Sequence, residues 1–267
     1  MPRPACPLSR PWVSSFALAQ VIKAAETHKL VKYKVTQTTD DKQNGTGSGT
    51  SVTYADLAAP RFREERRGLT LNETVEMVFL YIQDGRKDRA LSVLTETVVP
   101  DAEKGDSKDP LSKAAIAKRF KEKHGDGRKE ASLSRISEGS DPIKKAQSLL
   151  ESLQELEAHK NVVITKDKVG GREIVKYYLE DDKKTIKLWV DAKTNLPVQF
   201  EYEVLDPTPD IALNRWVYSD IEWDPQVKGF PTLDALFDTT PPDGYRLTDR
   251  TKENEALPIW PTRLFSP

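Results

Sequence analysis

Hydrophobic and polar positions alternate with a period of two along much of the chain, most clearly between Ile186 and Val204. Ile186, Leu188 and Val190 fall on one side of a first segment, with Lys187 and Trp189 on the other; Val198, Phe200, Tyr202 and Val204 then oppose Gln199, Glu201 and Glu203. Successive strand side chains point to opposite faces, so the pattern predicts an antiparallel hairpin with one wet face, turning at Asp-Ala-Lys-Thr-Asn. The same alternation predicts strands at Val31–Val35, Ser51–Leu57, Val162–Thr165, Glu173–Glu180 and Leu213–Trp223. Arg61–Arg67 is charged enough to be an edge strand. Thr74–Gln83 is a continuous apolar run that meets an Asp84-Gly85 turn signal before Ala90–Leu94, which predicts a buried central hairpin. Asp40–Thr50, rich in Gly, Asn and Thr, reads as a flexible connection.

A period of 3.6 replaces the period of two in three places. Leu18, Val21, Ile22 and Ala25 form one stripe of a helix over about Ser15–His28, capped by Ser14 or Ser15. The Asp, Lys, Gly and Ser-rich stretch from Pro100 to Pro142 predicts a surface excursion holding an exposed helix over Leu111–His124, with Ile116 and Phe120 on one side. Asp141-Pro142 opens a stronger helix in which Ala146, Leu149, Leu150, Leu153 and Leu156 form a stripe that ends near His159. Pro241-Pro242-Asp243-Gly244-Tyr245 is a tight turn, with φ preset by proline and a positive φ open to glycine.

Composition narrows what such a sheet can do. At 267 residues one β-rich domain can bury roughly three quarters of its unfolded surface. The 41 Lys and Arg nearly cancel the 42 Asp and Glu, which disfavours a nucleic-acid partner. With Cys6 as the sole cysteine, an internal disulfide or thiolate cluster is excluded. The stretch from Pro11 to Gln20 lacks the apolar run of a signal peptide or membrane span, and no membrane span is expected elsewhere.

Candidate chemistry is sparse. His28, His124 and His159 each close a predicted helix, where an imidazole meets the negative end of the helix dipole, and are not expected to bind metal. Asp220, Glu222 and Asp224 alternate on one strand face, where oxygen ligands could gather a divalent cation, but they read as an outward solvated face, since no calcium loop surrounds them. Gly45, Gly47 and Gly49 precede a strand where a dinucleotide motif needs a helix. No nucleophile elbow, His-Glu-x-x-His or phosphate loop occurs, so neither a catalytic residue nor a cofactor is expected. A carboxylate pair brought together by folding is the one enzymatic alternative.

Several of these segments, in order, resemble the bacterial LolA/LolB/RseB superfamily. They are Phe16–Lys29 leading into Val31–Val35, the Val78–Leu94 hairpin, the helix opened by Asp141-Pro142, the Trp189–Val198 hairpin, and Phe237 followed by Pro241–Tyr245. The resemblance covers roughly Ser14–Leu247. It implies an α+β fold: a large curved antiparallel sheet, an incomplete barrel, with two or three helices packed on its concave face. It also implies a single LolA-like domain over 14–250 with a mobile insertion at about 100–141, a disordered segment over 1–13 and a tail over 251–267.

The implied function is a non-enzymatic, periplasmic or otherwise extracytoplasmic binding protein, similar to lipoprotein carriers, that holds an acyl or lipid ligand in the sheet concavity. The alternative is an RseB-like regulatory domain contacting an anti-sigma factor or other envelope protein, and a carboxylate hydrolase stands third. Strand faces too apolar for a few helices to cover point to Tyr33, Val35, Met77, Phe79, Tyr81, Leu188, Val190, Phe200 and Tyr202 as cavity-lining residues.

Overall fold

The computed structural model describes residues 13–41, 45–59, 61–70, 74–86, 89–104, 108–109, 112–134, 156, 162–180, 182, 184–204 and 213–251. The helix expected over 142–159 lies outside the described residues apart from Leu156, which is helical and fully buried. The expected terminal segments fall outside them up to residue 12 and from residue 252.

Helix α1 (Val13–Ala25) leads into five antiparallel strands: β1 (Leu30–Asp41), β2 (Gly45–Asp56), β3 (Arg61–Thr70), β4 (Val75–Asp84) and β5 (Ala90–Val98). A 3-10 turn at Pro100–Glu103 and helix α2 (Lys113–His124) precede β6 (Arg128–Ser134). Strands β7 (Val163–Val169), β8 (Arg172–Glu180), β9 (Lys184–Asp191), β10 (Pro197–Val204) and β11 (Leu213–Trp223) follow. Helix α3 (Leu233–Leu236) and β12 (Arg246–Asp249) close the described chain. The twelve strands among the described residues join one sheet in the order β12-β6-β5-β4-β3-β2-β1-β11-β10-β9-β8-β7. Twist accumulated over that width curves the sheet, and among the described residues its two ends share no ladder, so the barrel stays open. The architecture is the expected α+β one, with a single parallel contact where β12 lies beside β6.

Strand registers define the faces, because directly opposed residues share a side. One row runs Tyr177, Leu188, Phe200, Tyr218, Val35, Ser51, Arg66, Phe79, Leu94, Glu130, Arg246. Leu18 and Val21 of α1 pack on this face with Leu156, Leu179, Ile186, Leu188, Val190 and Phe200, all at most 2% exposed. The opposite face is covered at the other end of the sheet. There Leu236, Phe237, Phe230 and Tyr245 pack on Ile82, Leu91, Val93, Ala131 and Leu133. Cover therefore lies on both sides, in different halves. The uncovered strands beyond it remain polar: Lys187, Arg215 and Gln199 converge on Glu201 on the outer side of β9–β11.

Four sequence expectations need correction. Arg61–Arg67 is no edge strand: β3 lies between β2 and β4, and its charges are met locally. Arg61 pairs with Asp56 and Asp234 and stacks on Phe237, Arg63 stacks on Phe230, Arg66 pairs with Glu64 and Arg67 with Glu65. The expected Asp40–Thr50 connection is mostly strand, because β1 runs to Asp41 and β2 starts at Gly45, with Gly47 facing Thr39 and Gly49 facing Gln37. The polar stretch after Pro100 contributes β6 to the sheet, held by pairing with β5 and by burial of Ala131 and Leu133. The helix within it, α2, is capped by Ser112 and buries Ala114, Ala115, Ala117 and Phe120.

At the end of β11 a carboxylate adds to the ladder that joins this strand to β1. Asp224 accepts from the Leu30 and Lys29 amides at 3.0 and 2.9 Å, and its other oxygen lies 2.8 Å from His28 Nδ1. The Leu30 amide foremost, then His28 and Lys29, hold its carboxyl below the usual range despite some burial. A depressed folded-state pKa stabilises above the unfolded value of about 4 and is lost as pH falls through the folded one. Urea midpoints measured from pH 7 downward should therefore fall below about pH 4, and Asp224→Asn should flatten that acid limb. An unchanged limb would show that this clasp is not linked to folding.

Candidate functional site

The nine sequence-predicted lining residues all lie on the α1 face, but they separate into groups. Leu188, Val190 and Phe200 are at most 2% exposed and sealed beneath α1, so they are core; Tyr202 packs half-buried at their margin. Tyr33 is buried among Val31, Ala55 and Phe62, with Val35 and Tyr218 against it. Burial pushes the Tyr33 phenol well above its ordinary value, and it stays neutral. Met77 and Phe79 stand apart on β4, while Tyr81 between them and the Tyr33 group packs against Phe62.

An aromatic path connects these groups across the face. Phe200 and Tyr218 have ring centroids 5.4 Å apart, Tyr218 and Tyr33 5.7 Å, and Phe62 and Tyr81 6.5 Å. A polar band crosses beside it, since Ser51 faces Arg66 and Thr53 faces Glu64. Arg66 clasps Glu64 with two donors, Nε at 2.8 Å and Nη2 at 3.1 Å. Beyond the band Phe79 faces Leu94, and Tyr81 faces Ser92. Phe79, Tyr81 and Leu94 are half-buried, and Met77 is buried. The far rim is charged: Arg128 bridges Glu96 at 3.3 Å and Glu130 at 2.7 Å, and the end of α2 comes near enough for His124 to act on Glu130.

This quadrant is an apolar strip on strand backbone, walled by two closed ion-pair groups. Alternation alone placed Met77, Phe79 and Tyr81 together. Gln83 continues that alternation, whereas Leu94 and Ser132 enter the site only through the β4–β5–β6 register, which no local signal in the sequence supplies.

Among the described residues, the carboxyl groups displaced from their ordinary range all move downward. Glu130, Asp191 and Asp224 are held below their ordinary range: Glu130 by Arg128, Asp191 by the Thr194 amide first, and Asp224 by the Leu30 amide first. Asp84 is also lowered, its burial being outweighed by Arg86 and Thr239. Among the described residues no three of His, Cys, Asp and Glu gather as metal ligands, and no helix is long and apolar enough to cross a membrane. The acidic trio noted in the sequence is dispersed in role, with Asp224 holding the β1 start and Glu222 paired to Lys32 at 2.5 Å.

No family model matches the chain, and no curated protein matches it. Solved structures give loose overlaps. The chain is similar to a DUF1329 family protein from Desulfovibrio piger at 10% identity, over 86% of this chain and 98% of that one, with a TM-score of 0.29. A LolA superfamily protein from Nitrosomonas europaea aligns at 7% identity, over 83% and 97%, with a TM-score of 0.27. A domain assigned to outer membrane lipoprotein sorting, from Vibrio parahaemolyticus, aligns at 7% identity, over 82% and 96%, with a TM-score of 0.23. Overlaps this loose carry no argument about function.

Proposed function

We propose that the protein is a non-enzymatic binding protein that holds a hydrophobic ligand, an acyl chain of a lipid or lipoprotein, against the α1 face. The observation that carries this reading is the strip Met77, Phe79, Tyr81 and Leu94. It places a run of apolar side chains on one face of an open sheet, outside the core cluster sealed by α1. Flexible acyl chains suit such a strip, because burying them is non-directional and asks only for apolar area. The closed ion pairs Glu64–Arg66 and Glu96–Arg128–Glu130 flank it without offering a free charge to a reacting group. A compartment outside the cytoplasm accompanies the sequence resemblance to lipoprotein carriers.

A photoreactive fatty acid tests where the chain lies. Irradiation followed by peptide mapping should label β4 and β5 at Phe79, Tyr81 or Leu94. Labelling confined to the opposite face, at Tyr54, Leu80 or Phe230, or no labelling above that of an unfolded control, would overturn the reading.

A further inference from the structure

We propose that the ligand's polar head is a neutral hydrogen-bonding group, of hydroxyl or amide type, received by Gln83 and Ser132 at one end of the apolar strip. This rests on the acyl-site reading above. The register sets a small polar floor beside the strip: Gln83 faces Ala90, which faces Ser134, and Tyr81 faces Ser92, which faces Ser132. Gln83 is only 4% exposed and Ala90 is fully buried, yet the Gln83 side-chain carbonyl Oε1 has no hydrogen-bond partner. The buried Ser132 Oγ also has none. Leaving an acceptor buried and unpaired forfeits its hydration with nothing in return, so native structures rarely tolerate it without a partner from outside. Two such atoms occur here on one face, on strands two apart. The third buried atom without a partner, Arg89 Nε, belongs to a guanidinium whose Nη2 donates to the Thr239 carbonyl at 3.4 Å.

The local charges select the class of head. The floor residues Gln83, Ser92, Ser132 and Ser134 bring no cation. Glu64, which faces Tyr81, is an anion, and its neighbour Arg66 is already engaged by it through two hydrogen bonds. A carboxylate head would be stripped of water without a counter-charge, which is costly. A hydroxyl can donate to Gln83 Oε1, and a second hydroxyl or amide on the same head can donate to or accept from Ser132 Oγ. The tail then runs over Tyr81 toward Phe79, Leu94 and Met77.

The test compares monooleoylglycerol, oleate and methyl oleate on delipidated full-length protein by calorimetry. Monooleoylglycerol should bind about tenfold tighter than methyl oleate, and oleate no tighter than methyl oleate. In the double variant Gln83→Leu, Ser132→Ala that preference should vanish while methyl oleate binding stays. Gln83→Leu removes a buried carbonyl oxygen that has no partner, so its Tm should not fall; should the double variant fail to fold, Ser132→Ala alone should reduce the preference. Equal affinity for the two esters in the wild type, a preference for oleate, or a preference that survives the variants would overturn the proposal. If none of the three binds, the acyl-site reading itself falls, and the silence of methyl oleate marks that outcome.

Discussion

Phe200→Ala should lower the unfolding free energy by about 3–5 kcal/mol, read as a shift of the urea midpoint. Phe200 is 2% exposed, faces Leu188 on β9 and lies 5.4 Å from the Tyr218 ring, beneath Leu18 and Val21 of α1. Neighbours drawn from three strands and a helix cannot collapse together into the space the ring leaves, so the cavity persists and its cost adds to the lost burial. A loss below about 1 kcal/mol would mean that this cluster is not a closed core. The residue would then return to the set that could touch a ligand.

Phe79→Asp should act the other way round, with a modest effect on stability and a large one on ligand. Phe79 is half-buried between Arg66 and Leu94 in the row across β3, β4 and β5. Removing its ring from an acyl contact forfeits roughly 1.5–3 kcal/mol of transfer free energy, which corresponds to a roughly ten- to hundredfold weaker complex. The introduced carboxylate adds a desolvation cost on the ligand side. A far-UV spectrum matching the wild type separates lost binding from lost fold. Undiminished fatty-acid affinity in a folded Phe79→Asp protein would remove the strip from the site.

The hairpin β9–β10 shows what the sequence carries by itself. Its two faces follow from alternation, and its turn is written in local chemistry: Asp191 accepts from the Lys193 and Thr194 amides, and Asn195 takes a φ of 59°. Asparagine tolerates that left-handed backbone better than most residues. Strand β6 shows the limit. Arg128–Ser134 has no β-branched residue, and it is a strand because β5 offers a ladder and the core offers burial to Ala131 and Leu133. Gly47 and Gly49 are strand residues for the same tertiary reason. Charge misled at β3, where Arg66 and Glu64, two apart on one face, neutralise each other inside the sheet.

The candidate site was legible to the same degree. A period of two groups Tyr33 with Val35, Met77 with Phe79 and Tyr81, Leu188 with Val190, and Phe200 with Tyr202; that all nine share one side follows from the strand registers. Which of them α1 would seal depends on where a helix lands on a twelve-stranded sheet, a long-range fact that no local pattern encodes. The cover on the opposite face was hidden likewise. It comes from Leu236 and Phe237, fixed through Arg61, which binds both Asp56 on β2 and Asp234 on α3.

Equilibrium titration of delipidated protein with a fluorescent fatty acid tests the central claim most directly. The account predicts saturable binding at a single site, competed by unlabelled acyl chains and weakened at least about tenfold in Phe79→Asp. A signal that rises without saturation, or an isotherm identical in wild type and Phe79→Asp, would contradict it.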